Sequence, residues 1–168
     1  MRSGHTVGMA TWNDFEQAEP DLAHRVRGRF EETGLALVAT VRSDGSPRVS
    51  GWEPLFAEGA LWLGAMPGGR KSLDVRRDPR ICLHNATTDK DVVDGDAKIF
   101  GRAVEVTDEA TRSAYARAFE TTNTQAVPTP FDLFRVDITE VSMLRPAGDH
   151  LDIEWWRPGE PLHRVERF

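Results

Sequence analysis

The chain has 168 residues, of which 39% are hydrophobic and 29% are charged, and its formal net charge at pH 7 is −6. This length and composition predict a single soluble globular domain with a substantial core. The acidic balance argues against a general role in binding nucleic acid or anionic membranes, and no stretch is long and apolar enough to span a bilayer.

The N-terminal residues and the single cysteine bear on domain organisation and compartment. Residues 1–12 lack the apolar run of a signal peptide, so we expect a flexible N-terminal segment followed by one domain over residues 13–168. Cys82 is the only cysteine and cannot form an intrachain disulfide, which favours a reducing, cytoplasmic compartment. Its apolar neighbours indicate a small core residue rather than a nucleophile.

The first predicted element is a helix over residues 20–33. Pro20 suits the first helical position because its missing N–H would be unpaired there in any case. One apolar stripe follows at a spacing of four residues, formed by Leu22, Val26 and Phe30.

Three strands are predicted next, over residues 35–41, 48–56 and 61–66. The Asp44-Gly45 pair supplies the positive φ of a hairpin turn between the first two, and Glu58-Gly59 forms the second turn. Tight turns between consecutive strands indicate an antiparallel meander and disfavour a doubly wound parallel fold.

The second half of the chain predicts two further helices and the remaining strands. The helices cover residues 70–78 and 108–120. A small antiparallel barrel with helices around it accommodates this pattern, because closure removes exposed sheet edges. The strands are predicted over residues 80–85, 97–106 with a bulge or close approach at Gly101, 133–139 with 141–144, and a last strand within 150–168.

Residues 61–79 carry the clearest functional signal. A strand breaks at Pro67-Gly68-Gly69 and is followed by Arg70, Lys71 and Ser72 in the first turn of a helix. Backbone N–H groups, two cations and a hydroxyl would converge there, so this turn is a candidate phosphate site. A solvated basic turn is the competing interpretation.

Other chemistry has little support in the sequence. The five histidines are not spaced as metal ligands, and there is no Walker loop, no dinucleotide-binding glycine motif and no nucleophile elbow. We therefore predict no catalytic side chain and no metal site.

Four blocks of sequence occur in a characteristic order: GLALVATVRSDGSPRVSG, LWLGAMPGGRKSLDVRRDPRICL, AKIFGRAVEV and IEWWRPGEPLHRV. From residue 34 onward the chain resembles the pyridoxamine 5′-phosphate oxidase-like family of FMN-binding split barrels, which includes flavin and deazaflavin oxidoreductases. The resemblance implies a mainly β (α+β) fold, a six-stranded antiparallel split β-barrel with three peripheral helices. It also implies a homodimer with two cofactor sites at the subunit interface.

The same resemblance assigns the cofactor-binding residues. Arg70 and Lys71 match the pair that binds the FMN phosphate, next to Ser72, and Arg48 is a further candidate for the phosphate. The backbone of Arg48, Val49 and Ser50 would run along the isoalloxazine ring, and Ala65 and Met66 would line the ribityl side. Trp156 matches a tryptophan that approaches the partner subunit's flavin, although core or interface packing explains Trp155 and Trp156 equally well.

The chain departs from the true oxidases near its C-terminus. Their R-L-H-D-R motif appears as Pro161-Leu162-His163-Arg164-Val165, and a glutamine before the strand at residue 97 appears as Asp96. A site without the substrate-phosphate arginine should bind pyridoxamine phosphate poorly. We therefore expect an FMN-dependent oxidoreductase that transfers hydride to or from another small molecule.

Two alternatives remain open. The deazaflavin F420 could occupy the same barrel, with Arg42, Arg76 and Arg77 forming a basic groove for its acidic tail. A non-catalytic flavin- or haem-binding dimeric module is the second alternative, and its axial ligand candidates are His84 and His163.

Overall fold

The structure, a computed structural model, describes residues 8–168. Four helices surround a single antiparallel sheet of nine strands within these residues. No helix among them is long and apolar enough to cross a membrane. The helices are α1 (Trp12–Ala18), α2 (Pro20–Glu31), α3 (Arg70–Arg77) and α4 (Glu109–Asn123). The strands are β1 (Ala36–Val41), β2 (Pro47–Trp52), β3 (Pro54–Ala57), β4 (Ala60–Ala65), β5 (Arg80–Asn85), β6 (Asp96–Glu105), β7 (Asp132–Ala147), β8 (His150–Trp156) and β9 (His163–Arg167).

The long strand β7 organises the sheet. The strand order is β2-β1-β5-β6-β7-β4-β3, and β8 and β9 extend from the C-terminal half of β7. Along one edge β7 pairs with β6, with a register shift between Phe100 and Gly101. A Cβ at Gly101 would lie 2.4 Å from the carbonyl oxygen of Asp137, so the predicted close approach at this glycine is confirmed.

Residues 47–57 form two strands rather than the single strand predicted over 48–56. β2 pairs with β1 and β3 pairs with β4, at opposite ends of the strand order. The chain changes direction at Glu53, and Pro54 has no N–H to continue a ladder. The predicted three-stranded meander is therefore wrong, because the chain leaves the β1–β2 pair after Trp52 and continues into the β3–β4 pair at the other end of the strand order.

The N-terminal part of the chain also differs from the prediction. Residues 1–7 lie outside the described residues, but Ala10 exchanges two backbone hydrogen bonds with Ile138, of 2.9 and 2.8 Å. Thr11 and Asp14 form a capping box that starts α1, and Trp12 is 2% exposed. The expectation of a flexible segment up to residue 12 therefore fails at Ala10–Trp12, which are part of the fold.

The core has two parts. The larger fills the barrel and extends under α1 and α2, where the predicted apolar stripe of α2 is confirmed because its side chains are at most 1% exposed. The smaller lies beneath α4 and includes Trp62, Tyr115 and Leu133. The predicted class, an antiparallel barrel with peripheral helices, is confirmed, with nine strands and four helices among residues 8–168.

Candidate functional site

The turn between β4 and α3 places polar groups at the start of a helix. Gly68 has a φ of +67°, which lets the chain reverse before α3 begins at Arg70. No side chain caps α3, so N–H groups of its first turn remain available for another acceptor. Arg70 is exposed at the first helical position.

Ser72, in the same turn, has a buried hydroxyl group. By distance and angle its Oγ has no hydrogen-bond partner among the described residues, although it lies close enough to the Asp132 carboxylate to help lower the pKa of that group. The Oγ of Ser50, on β2, is also buried and without a partner. Buried hydroxyls are normally satisfied, so these two orphan groups indicate a polar ligand or ordered water at this place.

Lys71 is held against the end of β2. Its Nζ donates a 2.9 Å hydrogen bond to the carbonyl oxygen of Gly51 and lies 4.4 Å from the centroid of the Trp52 ring. Partial burial lowers the pKa of Lys71, and the nearby Glu53 carboxylate opposes this effect. The ammonium group is thus fixed at the side of the uncapped turn.

Arg48 has a different partner from the one expected. Its Nε donates a 2.6 Å hydrogen bond to Oδ2 of Asp74, a buried residue of α3, which also accepts from the Thr40 hydroxyl at 3.1 Å. Burial acts to raise the pKa of Asp74, but the hydrogen bonds from Arg48 and Thr40 outweigh it and hold the pKa below its usual range. The guanidinium of Arg48 therefore fastens β2 to α3, and its contact with a phosphate stays a prediction.

A cleft of about 400 Å³ opens beside this turn. Its wall is mainly apolar and includes four aromatic side chains, and we call it the aromatic cleft; Lys71 and Glu53 are its charged residues. Ala65 and Met66, predicted to line the cofactor, are part of it, whereas Arg48, Val49, Ser50, Arg70, Ser72 and Trp156 are not. The lining residues are Leu35, Gly51, Trp52, Glu53, Gly64, Ala65, Met66, Gly69, Lys71, Tyr115, Phe119, Val127, Pro128, Pro130 and Phe131.

The aromatic wall contributed by α4 and the following loop was not predicted from the sequence. Tyr115 lies over β4, and a Cβ at Gly64 would be only 2.3 Å from its hydroxyl oxygen. The Trp52 indole donates a 2.6 Å hydrogen bond to the Gly64 carbonyl from the other side. A glycine inside an apolar strand is a signal of such a close approach, but it does not identify the approaching residue.

A cluster of charged side chains stabilises the turn through hydrogen bonds. Asp132, the first residue of β7, accepts hydrogen bonds from the Gly68 N–H at 3.2 Å and from Arg76 at 2.8 Å. Arg76 also donates to Glu105. Burial acts to raise the pKa of Asp132, but the hydrogen bonds from Arg76 and the nearby Ser72 hydroxyl outweigh it and lower the pKa.

Two of the predicted cofactor residues differ in where their side chains lie, and neither lines the cleft. Trp156 is 4% exposed and packs in the main core, with its ring centroid 5.1 Å from that of Phe15. Core packing, the competing interpretation, therefore describes Trp156 in the single chain, and unlike Trp52 and Tyr115 it does not line the cleft. Val49 points away from the barrel and is 65% exposed, so only its backbone could serve the predicted role.

The fold and this turn define a split-barrel protein with a basic, uncapped helix N-terminus beside an aromatic cleft. Residues 22–145 match the family model described as pyridoxamine 5′-phosphate oxidase, and the chain belongs to this family. The sequence has no significant match among curated proteins.

Solved structures of low sequence identity share the fold. PhzG from Burkholderia lata 383, in complex with tetrahydrophenazine-1-carboxylic acid, is 15% identical with a TM-score of 0.59, covering 92% of this chain and 94% of that one. A heme binding protein from Mycobacterium smegmatis is 19% identical with a TM-score of 0.58, covering 80% and 58%. HupZ from Group A Streptococcus is 15% identical with a TM-score of 0.59, covering 74% and 94%. The same fold therefore occurs in proteins described with different ligands, tetrahydrophenazine-1-carboxylic acid in one and haem in another.

Proposed function

We propose that this chain is a flavin-dependent oxidoreductase that binds FMN, with the phosphate at the first turn of α3. The observation that supports the proposal is the uncapped first turn of α3, which contains Arg70, Lys71 and the buried hydroxyl of Ser72. A phosphate dianion would accept from the hydroxyl and from free backbone N–H groups, and two cations would balance its charge.

The aromatic cleft is the proposed location of the ring system. Its walls are apolar and it begins at Lys71, so a ligand anchored at α3 can extend directly into it. A bound flavin supplies the hydride chemistry itself. The protein's part is to hold the phosphate, to orient the ring between Trp52 and Tyr115, and to exclude water from it.

The substrate is proposed to be a small molecule other than pyridoxamine phosphate. The Pro161–Val165 segment offers no free phosphate clamp, since His163 lies 3.2 Å from Glu160 and Arg164 Nε lies 3.0 Å from Glu154. Both carboxylates compete with a substrate anion for these cations. Substrate phosphate therefore has neither the arginine pattern nor free partners in this segment.

F420 has less support than FMN. Two arginines proposed for its acidic tail are engaged: Arg76 with Glu105 and Asp132, and Arg77 with Asp74 and the Val41 carbonyl. Haem also has less support, since the cleft lining contains no histidine or cysteine. The phenol of Tyr115 is a poor anionic ligand, because burial and the nearby Glu53 raise its pKa to about 12.

A homodimer is proposed because β1 is apolar on both of its faces. The inner face is in the core, but on the outer face Leu37 is 41% exposed, and Val49 beside it on β2 is 65% exposed. Cys82 and Phe100 follow on the neighbouring strands of the same face. We call this surface the outer apolar face and assign it to a second copy of the chain.

A reducing compartment such as the cytoplasm is proposed on the basis of Cys82. It is a free thiol, partly buried on the outer apolar face. Burial raises its pKa, which keeps the thiol protonated and unreactive.

The test is a titration of the purified, cofactor-free protein with FMN and with F420. In an Arg70→Ala/Lys71→Ala double variant the FMN dissociation constant should rise about 100-fold or more, because two charge-assisted contacts are lost. Turnover of cofactor that does bind should change little, since neither side chain touches the reacting atoms. Arg117→Ala/Arg167→Ala is the control, with the same change in charge at exposed positions outside the cleft.

The outcomes separate the candidates. Wild-type FMN affinity in the double variant would contradict the phosphate site. If F420 binds more tightly than FMN, then F420 is the cofactor instead of FMN. Absorbance of the purified protein near about 420 nm instead of about 450 nm would identify it. A Soret band would favour the haem-binding module.

A further inference from the structure

We propose a divalent transition-metal site on the C-terminal hairpin, formed by His150, Asp152 and Glu166 and independent of the cofactor site. Each residue offers one ligand atom, and the three atoms lie within 4.8 Å of one another. The hairpin consists of β8 and β9 and lies outside the lining of the aromatic cleft.

The strand register places the three side chains on one face. His150 and Asp152 are two residues apart in β8, so they project from the same side. Asp152 is directly opposite Glu166 in the β8–β9 pairing. The backbone pairing therefore brings the three side chains together on one face of the hairpin.

A second carboxylate fixes the imidazole of His150. Asp149 Oδ1 lies 3.1 Å from Nδ1, while Nε2 faces Asp152 Oδ1 at 3.3 Å. A hydrogen bond from Nδ1–H to Asp149 leaves the Nε2 lone pair free for a metal, the usual arrangement of carboxylate and histidine at protein metal sites. The Phe168 ring covers the imidazole, with centroids 5.2 Å apart.

The charges of the cluster also favour a bound cation. Two carboxylates directly opposite in an antiparallel pair repel each other. Arg145 reduces this repulsion only in part, because its 3.1 Å contact is with Asp152 Oδ2. The other oxygen, Oδ1, faces His150. A dication between Oδ1, Glu166 and Nε2 would offset the repulsion that remains.

The donor set indicates the kind of ion. One imidazole nitrogen and two carboxylate oxygens suit Zn²⁺ or a similar first-row dication better than Ca²⁺ or Mg²⁺, which prefer oxygen ligands alone. Ligands about 2.0–2.2 Å from Zn²⁺ lie roughly 3.3–3.6 Å apart in a tetrahedron, so only a small rotation of the exposed Glu166 is needed. Such an ion would join β9 to β8.

The test is a calorimetric titration of the untagged full chain with Zn²⁺, using His150→Ala, Glu166→Gln and the control His163→Ala. His163 is an imidazole in the same hairpin with a carboxylate 3.2 Å away, but it does not belong to the cluster. We expect one Zn²⁺ per chain, with a dissociation constant raised about tenfold or more in the first two variants and unchanged in the control. Hydrogen exchange of β9 should slow when Zn²⁺ is added to the wild type or to His163→Ala, and should change much less in His150→Ala and Glu166→Gln.

Two results would overturn the site: no stoichiometric binding by the wild type, or equal affinity in wild type, His150→Ala and Glu166→Gln. Circular dichroism checks that the variants fold. If His150→Ala does not, Glu166→Gln decides, because Glu166 is exposed and keeps its shape as glutamine.

Discussion

Asp74 is the residue on which β1, β2 and α3 converge. Thr40 and Arg48 donate to its Oδ2, and Arg77 lies 3.5 Å from its Oδ1. Because the carboxylate is buried, it depends on these partners for the hydrogen bonds that water would otherwise supply. Its environment favours the ionised form, and this links the stability of the barrel to pH.

Replacing Asp74 by Asn should lower the free energy of unfolding by about 1.5–3 kcal/mol at neutral pH, because charged hydrogen bonds are lost. The folded-state pKa of Asp74 is lowered, so its stabilisation is complete above the unfolded pKa of about 4 and is lost as pH falls through the folded pKa. Urea unfolding of wild type and Asp74→Asn between pH 7 and pH 3 measures this, and the difference between them should shrink toward low pH.

Asp91→Asn is the matched control for that experiment. Asp91 pairs with Lys90 on the surface, where both side chains are more than half exposed, so its removal should change stability little. A difference between wild type and Asp74→Asn that does not vary with pH would contradict the ion-pair explanation.

At the level of single residues, the sequence identified local features and missed distant ones. Arg70, Lys71 and Ser72 were predictable because a strand, a glycine turn and a helix start follow one another in the chain. The Arg48–Asp74 pair joins residues 26 positions apart in the chain. Tyr115 of α4 approaches Gly64 of β4, and three other elements separate these two in the chain. Such contacts depend on tertiary placement, which local patterns do not specify.

Among the elements, α1 shows how a short helix can be essential to the core. It has only seven residues, yet Trp12 contacts Phe56 with ring centroids 4.5 Å apart and Phe15 at 5.3 Å. This helix was not predicted from the sequence: although Thr11 and Asp14 satisfy a capping box, its few apolar residues are too short a run for a periodic signal. The longer α2, with three turns of pattern, was predicted correctly.

Trp12→Ala should lower the free energy of unfolding by about 3–5 kcal/mol, since a buried indole is replaced by a cavity. Glu16→Ala on the same helix is the control, because Glu16 is exposed. Thermal unfolding followed by circular dichroism compares the two. Equal melting temperatures for both variants would mean that α1 does not belong to the cooperative core.

At the scale of the whole molecule, the outer apolar face predicts the oligomeric state. Val49→Glu should dissociate a dimer, raising its dissociation constant about 100-fold or more, since burying an unpaired carboxylate costs several kcal/mol. Val93→Glu is the matched control, because Val93 is 64% exposed against 65% for Val49 but lies in a loop between β5 and β6.

Light scattering after size exclusion measures both variants against the wild type. We expect twice the chain mass for wild type and Val93→Glu, and the single-chain mass for Val49→Glu. A monomeric wild type, or a Val49→Glu variant that stays dimeric, would remove the outer apolar face as the interface.

The antiparallel barrel was predictable from turn residues and apolar alternation, whereas the order of its strands was not. A single strand was predicted over residues 48–56 because Trp52 and Leu55 are both apolar and only Glu53 and Pro54 lie between them. At this turn the chain stops pairing with β1 and begins to pair with β4. Which strands become neighbours is decided by how the sheet closes on itself, a property of the whole chain.

Asp132 connects the turn before α3 with the loop that lines the aromatic cleft. It holds the Gly68 N–H at the turn before α3, and it directly follows Phe131, the last residue of the loop that forms the aromatic wall. In the proposed function, a phosphate at the turn and a ring against the wall would each contact a segment that Asp132 holds in place. The two halves of a cofactor should consequently bind with positive cooperativity, more tightly joined than their separate affinities predict.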